Sequence, residues 1–211
     1  AVFLDEGYTL NSSENQSRTV HSNVIELHLR EGAQFGFHSI QAYGKHVAHL
    51  SNKRAACDKD SQVTLTGAHL GSAATRSRLD TLMKGEGASV SSIEVVFGSG
   101  KQRFDLVSDL MHTRSNTIGS NVVRGVIRNE AKSIFKGMIR ISSEAKNAKS
   151  YLAEHAMLLD PGAKADAIPG LEVETNEVKA THSASVAQVD EEGIFYLMSR
   201  GFTRSEATKM L

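Results

Sequence analysis

Between Val24 and Leu106 apolar residues recur at every second position, and small-residue breaks return at a near-constant interval. Ile25, Leu27 and Leu29 alternate with Glu26 and His28; Glu31-Gly32-Ala33 interrupts the run, and Phe35 and Phe37 resume it. Val63 and Leu65 follow Asp60-Ser61, and Val90, Ile93, Val95 and Phe97 follow Gly87-Ala88. Period two is the signature of a strand with one apolar face. The breaks at Gly32, Asp60 and Gly87 are 28 and 27 residues apart, whereas those at Glu130-Ala131, Glu144-Ala145 and Gly162-Ala163 crowd together, so the repeat reads as irregular. One pair of short strands cannot bury its apolar face alone, and stacking pair on pair supplies a continuous core. The spacing predicts a β-solenoid; an antiparallel sandwich, with turns at shorter intervals, is the competing architecture.

Composition narrows the functional classes. Lysine plus arginine equals aspartate plus glutamate at 24 each, so no net field favours nucleic acid or a membrane surface. A single cysteine, Cys57, excludes an internal disulfide and any multi-cysteine metal site made by one chain. It reads as a small buried or half-buried strand residue; Lys53 and Arg54 could lower its pKa, but there is no resolving cysteine for a redox role. No apolar run approaches the roughly 20 residues of a membrane-spanning helix and there is no secretory signal, so the expected location is the cytoplasm. With 17 glycines and 2 prolines, the turns rely on Gly, Asn and Ser. The chain opens at Ala1 rather than an initiator methionine, as a fragment would.

At Asp190 the pattern changes from strand to helix. Asp190 is a plausible N-cap followed by Glu191 and Glu192; Ile194, Phe195, Leu197 and Met198 supply an apolar face, and Gly201 is a C-terminal stop. Thr203-Arg204-Ser205-Glu206 spells a capping box for a second helix with Phe202 as its staple. That helix reaches Leu211 without a stop signal, so the natural chain is expected to continue. The division is a β core over 1–189 and the start of a helical domain over 190–211.

Chemistry-bearing residues are sparse. His182, in Lys179-Ala180-Thr181-His182-Ser183-Ala184-Ser185, is an accessible imidazole, either a ligand or proton carrier or a surface structural residue. Its neighbours Thr181 and Ser183 point to the opposite strand face, which is poor nucleophile–base geometry. Glu154-His155 and Asp160 form a second polar group, again split between faces. Histidines 21, 28, 38, 46, 49, 69 and 112 show no HxH or HExxH spacing, and no Gly-rich phosphate loop occurs. Without Trp, and with 6% aromatic residues, a β-helix enzyme acting on carbohydrate has few stacking platforms.

Ala167-Ile168-Pro169-Gly170-Leu171-Glu172-Val173, Val178 to Ser185, Val189-Asp190-Glu191-Glu192 and Phe195 to Gly201 together resemble the SufB/SufD family, the scaffold subunits of the SUF iron–sulfur assembly machine. Arg124-Gly125-Val126 and Ala131 to Ile139 resemble it as well, and weaker likeness reaches back to about His21. The resemblance implies a mainly β fold, a right-handed parallel β-helix followed by a small helical domain. It implies a non-catalytic scaffold that pairs with a SufB-like chain through the β-helices, docks a SufC-like ABC ATPase and holds no cofactor tightly. A transient iron–sulfur cluster would be shared with SufB across the interface, and a homodimer through the β-helix is the alternative pairing. Glu154 stands where SufB-type chains carry a cysteine and Ser183 where they carry a carboxylate, so the likeness is closer to SufD, whose interface histidine matches His182. Ala180 and Ser183 depart from the cysteine and glycine of many SufD proteins. His182 and Glu154 are thus the cluster-interface candidates. Phe195, Tyr196, Leu197, Arg200, Gly201 and Phe202 are the ATPase-docking candidates, with Tyr196 and Arg200 expected to be the more exposed. No metal is expected to bind to this chain alone.

Overall fold

The computed structural model describes residues 1–9 and 17–210; Leu211, the expected end of the second helix, lies outside the described residues. Strands alternate between two parallel sheets. The first sheet holds β1 (Val2–Tyr8), β3 (Gln34–Ala42), β5 (Gln62–His69), β7 (Ser89–Gly98), β9 (Ile118–Ile127), β11 (Lys149–Leu158) and β13 (Lys179–Gln188) in that spatial order. The second holds β2 (Thr19–Leu29), β4 (Val47–Cys57), β6 (Ala74–Met83), β8 (Arg103–His112), β10 (Lys132–Ile141) and β12 (Lys164–Val173). Each strand therefore pairs with the strand two along the chain. This is a parallel β-solenoid, not a sandwich, with the odd and even strands facing each other across a filled lumen.

The repeat is more regular than the sequence reads, because its breaks belong to two corners. At the corner from the second sheet to the first, Gly32, Asp60, Gly87, Asn116 and Asn147 all have positive φ, between 53° and 70°. Each donates its backbone N–H to the next coil, to the carbonyls of Lys59, Glu86, Ser115, Lys146 and Glu177 in turn. Gly, Asn and Asp are the residues that tolerate this left-handed geometry, and two asparagines at its later positions hide the period from a search for glycine. Glu130-Ala131 and Gly162-Ala163 lie at the opposite corner, where Ala131 and Ala163 are buried; Glu144-Ala145 lies within the longer connection 142–148.

Inside, stacked apolar residues make the core. One cluster includes Leu29, Phe37, Leu65, Leu79, Met83, Leu110, Ile139 and Leu152; a second includes Val96, Phe104, Ile127 and Phe135. Pro169 fits because β12 is an edge strand of the second sheet. Cys57 is fully buried, as its alternating context suggests. Burial, helped by Asp58, raises its thiol to about 11 despite Ser61 and Lys84, the direction opposite to an activated thiolate. At the first corner a Cβ on Gly85 would come within 2.0 Å of the Lys59 backbone nitrogen, and a backbone cannot swing aside. Gly85→Ala is expected to lower stability by about 1–3 kcal/mol, read as a lower urea midpoint with an unchanged slope.

Past β13, α1 (Glu191–Ser199) begins where the Asp190 carboxylate accepts from Glu192 N–H at 3.0 Å. Gly201, at φ +97°, ends it. The capping box forms at α2 (Arg204–Met210): the Thr203 backbone N–H donates to Glu206 Oε2 at 2.8 Å, and Glu206 N–H donates back to Thr203 Oγ1 at 3.3 Å. Ile194 and Ala207 are buried where the two helices meet.

Candidate functional site: the last coil and the lumen below it

His182 lies on β13, which pairs with β11 on one side and has no strand on the other among the described residues. It is exposed, yet its register partner is Leu152, which is fully buried. His182 thus continues an inward-facing column onto the open last coil. The small residues Ala180 and Ala184 flank it on the same strand face.

Glu154 sits one coil below, in register with Ala184 and hence diagonal to His182. Unlike His182 it is enclosed, at 1% exposure. Its head crosses the lumen to Gly137 of β10, where a Cβ would come within 2.8 Å of Oε1; only glycine leaves this room. Burial raises the carboxyl to about 7, against an opposing backbone hydrogen bond at Ile168. His155 is split off to the outer face, as alternation requires, and its Nδ1 lies 2.7 Å from Ser185 Oγ.

The helices form a separate surface. Phe195 is 73% exposed, more than Tyr196 at 56%, which corrects the expected order. Arg200 lies over the Tyr196 ring at 5.1 Å and reaches its hydroxyl at 3.2 Å, so the two present one amphipathic plate. Gly201 and Phe202 are exposed beside it, and Leu197 is half-buried.

Sequence spacing misses a polar group in the early coils. His21 on β2 and His49 on β4 face each other with Nδ1 atoms 3.1 Å apart, and the Tyr43 hydroxyl lies 3.2 Å from His21 Nε2. Burial, then His21, His69 and Lys53, lowers His49 to about 4. Deeper in, His69 Nε2 is 2.6 Å from Glu94 Oε2, and Lys53 reaches across from β4 to Glu94 Oε1 at 3.7 Å and to Ser39 Oγ at 3.2 Å. Burial pushes the Glu94 carboxyl upward, but Lys53 and His69 outweigh it and hold the group at about 2. The signal for this group is the repeat length: His21 and His49 are 28 residues apart, one coil, and are paired in register. Among the described residues no three His, Cys, Asp or Glu side chains are arranged to hold a metal ion, and no helix is long and apolar enough to cross a membrane.

A parallel β-solenoid ending in an open strand edge and a helical pair is the class defined by this architecture. The SufBD core domain of the SUF system for FeS cluster assembly matches residues 2–211, and the chain belongs to that family. It is 30% identical over 216 residues to an iron–sulfur cluster assembly SufBD family protein of Staphylococcus epidermidis (strain ATCC 12228), covering 100% of this chain and 46% of that protein. Similar proteins of Staphylococcus haemolyticus (strain JCSC1435) and Staphylococcus aureus (strain USA300) are 30% and 29% identical, each with 100% of this chain and 46% of the relative covered. The chain spans about half the length of these curated relatives.

Proposed function

We propose that this chain is the core of a SufD-like, non-catalytic scaffold that supports iron–sulfur cluster assembly against a SufB-like partner and docks a SufC-like ABC ATPase. The reading rests on the whole-chain family match, and the observation that carries it to a site is His182, solvent-facing on the unpaired edge of β13. An edge strand offers its free N–H and C=O groups to a second chain, and flanking alanines let that chain approach the imidazole closely. His182 supplies one ligand to a cluster that is cargo rather than resident cofactor, while the softer thiolates come from the partner. Glu154 lies one coil behind it in the lumen, with its carboxyl pushed up to about 7 by burial. Phe195, Tyr196, Leu197, Arg200, Gly201 and Phe202 form the ATPase-docking plate, with aromatic and arginine anchors typical of interface centres. Against a carbohydrate enzyme stands the enclosure of Glu154, since such an enzyme needs its carboxylates open to a groove.

The test uses the full-length parent reconstituted with SufB-like and SufC-like chains. His182→Ala is expected to leave the complex intact by size exclusion and to reduce cluster yield at least severalfold. Unchanged yield in an intact complex removes the ligand role. Failure of the parent to capture either partner removes the scaffold reading, and self-association by light scattering over a concentration series would favour a homodimer instead.

A further inference from the structure

On the outer face of the second sheet, charges of opposite sign alternate from strand to strand. Arg76 of β6 pairs with Asp105 of β8, which also meets Lys136 of β10 at 3.8 Å. Asp109 of β8 accepts from Arg78 of β6 and Arg140 of β10, each at 3.0 Å. The two carboxylates lie low, at 29% and 9% side-chain exposure, and their cations stand above them at 41% to 59%.

One column breaks this alternation. Arg103, Lys132 and Lys164 open β8, β10 and β12, are paired in register and are all exposed. Arg103 and Lys132 have no carboxylate partner among the described residues, and Lys164 meets only Asp166 of its own strand, at 3.4 Å. In the adjoining turn Glu130 faces Lys101 instead, at 4.0 Å. Arg103 is nevertheless fixed in place, because its Nη1 donates to the carbonyls of Lys101, Gln102 and Glu130 at 2.8, 3.0 and 2.9 Å. Like charges directly opposite each other on neighbouring strands are destabilising, so an anion laid along the column would relieve a standing repulsion.

Spacing and surroundings select the anion. Neighbouring strands lie about 4.8 Å apart, so the three cations span roughly 10 Å along the solenoid axis. Carboxylates at i, i+4 and i+7 of a helix recur every ~5–6 Å, whereas those on one face of an extended chain are about 6.6 Å apart. The next row inward is Asp105, Ile134 and Asp166, and the row after it ends on Ile168, which is 55% exposed. A polyphosphate or nucleic acid spreading over the face would meet both of those carboxylates, while an amphipathic helix gains apolar contact there.

We propose that the Arg103–Lys132–Lys164 column docks an acidic amphipathic helix of a partner protein. The helix lies along the solenoid axis, with carboxylates at i, i+4 and i+7 on the three cations and its apolar side toward Ile134 and Ile168. The column belongs to the second sheet, whereas β13 is the edge of the first, so this partner is additional to the one set against His182.

The test is fluorescence anisotropy of the full-length protein with a labelled helical peptide carrying Glu at i, i+4 and i+7 and Leu on the adjoining face. Saturable binding is expected, weakening as NaCl is added, with none for the same peptide carrying Gln in place of Glu. Lys132→Glu with Lys164→Glu should weaken binding severalfold with an unchanged circular dichroism spectrum, and Lys59→Glu, at the other corner, should leave it unchanged. Lys132→Gln should by itself raise the urea midpoint, because it relieves the stacked charge. No binding to the parent sequence, binding that survives the double reversal, or a midpoint lowered by Lys132→Gln would each overturn the proposal. Displacement of the peptide by equimolar tripolyphosphate or single-stranded DNA would overturn it as well, in favour of a phosphate site.

Discussion

Glu94→Ala is expected to cost about 3–5 kcal/mol of folding stability at pH 7, because it leaves Lys53 charged and unpaired in the lumen. Lys53 is 7% exposed and Glu94 4%, so no solvent takes over the lost interaction. The same carboxylate predicts a pH dependence. Its folded pKa of about 2 lies below the ordinary 4.5, so its contribution is complete above pH 4.5 and is lost as pH falls through 2. That loss is on the order of 3 kcal/mol. Urea unfolding at pH 7 and at pH 3 measures both effects: the deficit of Glu94→Ala against the parent sequence should shrink in acid. A deficit below about 1 kcal/mol at pH 7 would mean that the Lys53–Glu94–His69 group does not hold the early coils together. The pair Lys53→Met with Glu94→Leu should recover much of the loss, since an apolar pair of similar volume replaces a buried ion pair at little cost.

Glu154→Gln acts in the opposite direction. The folded carboxyl titrates at about 7, above its ordinary 4.5, so the native protein retains a proton that the unfolded chain releases. Stability from this group is complete below pH 4.5, declines as pH rises and levels off above 7. Glutamine mimics the neutral acid without that decline, so the variant should be more stable by about 2–3 kcal/mol at pH 8 and nearly unchanged at pH 4. Equal effects at both pH values would show that packing against Gly137, not ionisation, governs the position.

Much of the architecture is legible in the sequence, for a physical reason. Alternation over Ile25–Leu29 and the breaks at Gly32, Asp60 and Gly87 report the strand and the coil directly, because one face of each strand must be buried and each corner needs a left-handed residue. The helix signals at Asp190 and Thr203 are equally local and appear as capping bonds. The lumen group is different. Lys53 and Glu94 come from opposite sheets, and His69 meets Glu94 diagonally between neighbouring coils, so no short motif records them. His21 and His49 become neighbours only once the coil length is known. Glu154 and His155 were separable by alternation, but that Glu154 would be sealed off while His182 stays open depends on which coil is last.

The hydrogen bonds between coils have a mechanical consequence. They run along the solenoid axis, so a pull on α1 and α2 in that direction loads the β11–β13 ladder first and the lower ladders in series behind it. Such a load detaches strands one coil at a time. A sideways or twisting load instead shears whole ladders together and meets far greater resistance. A motor acting through these helices would therefore turn the body as a rigid rod, provided its stroke ran across the axis rather than along it.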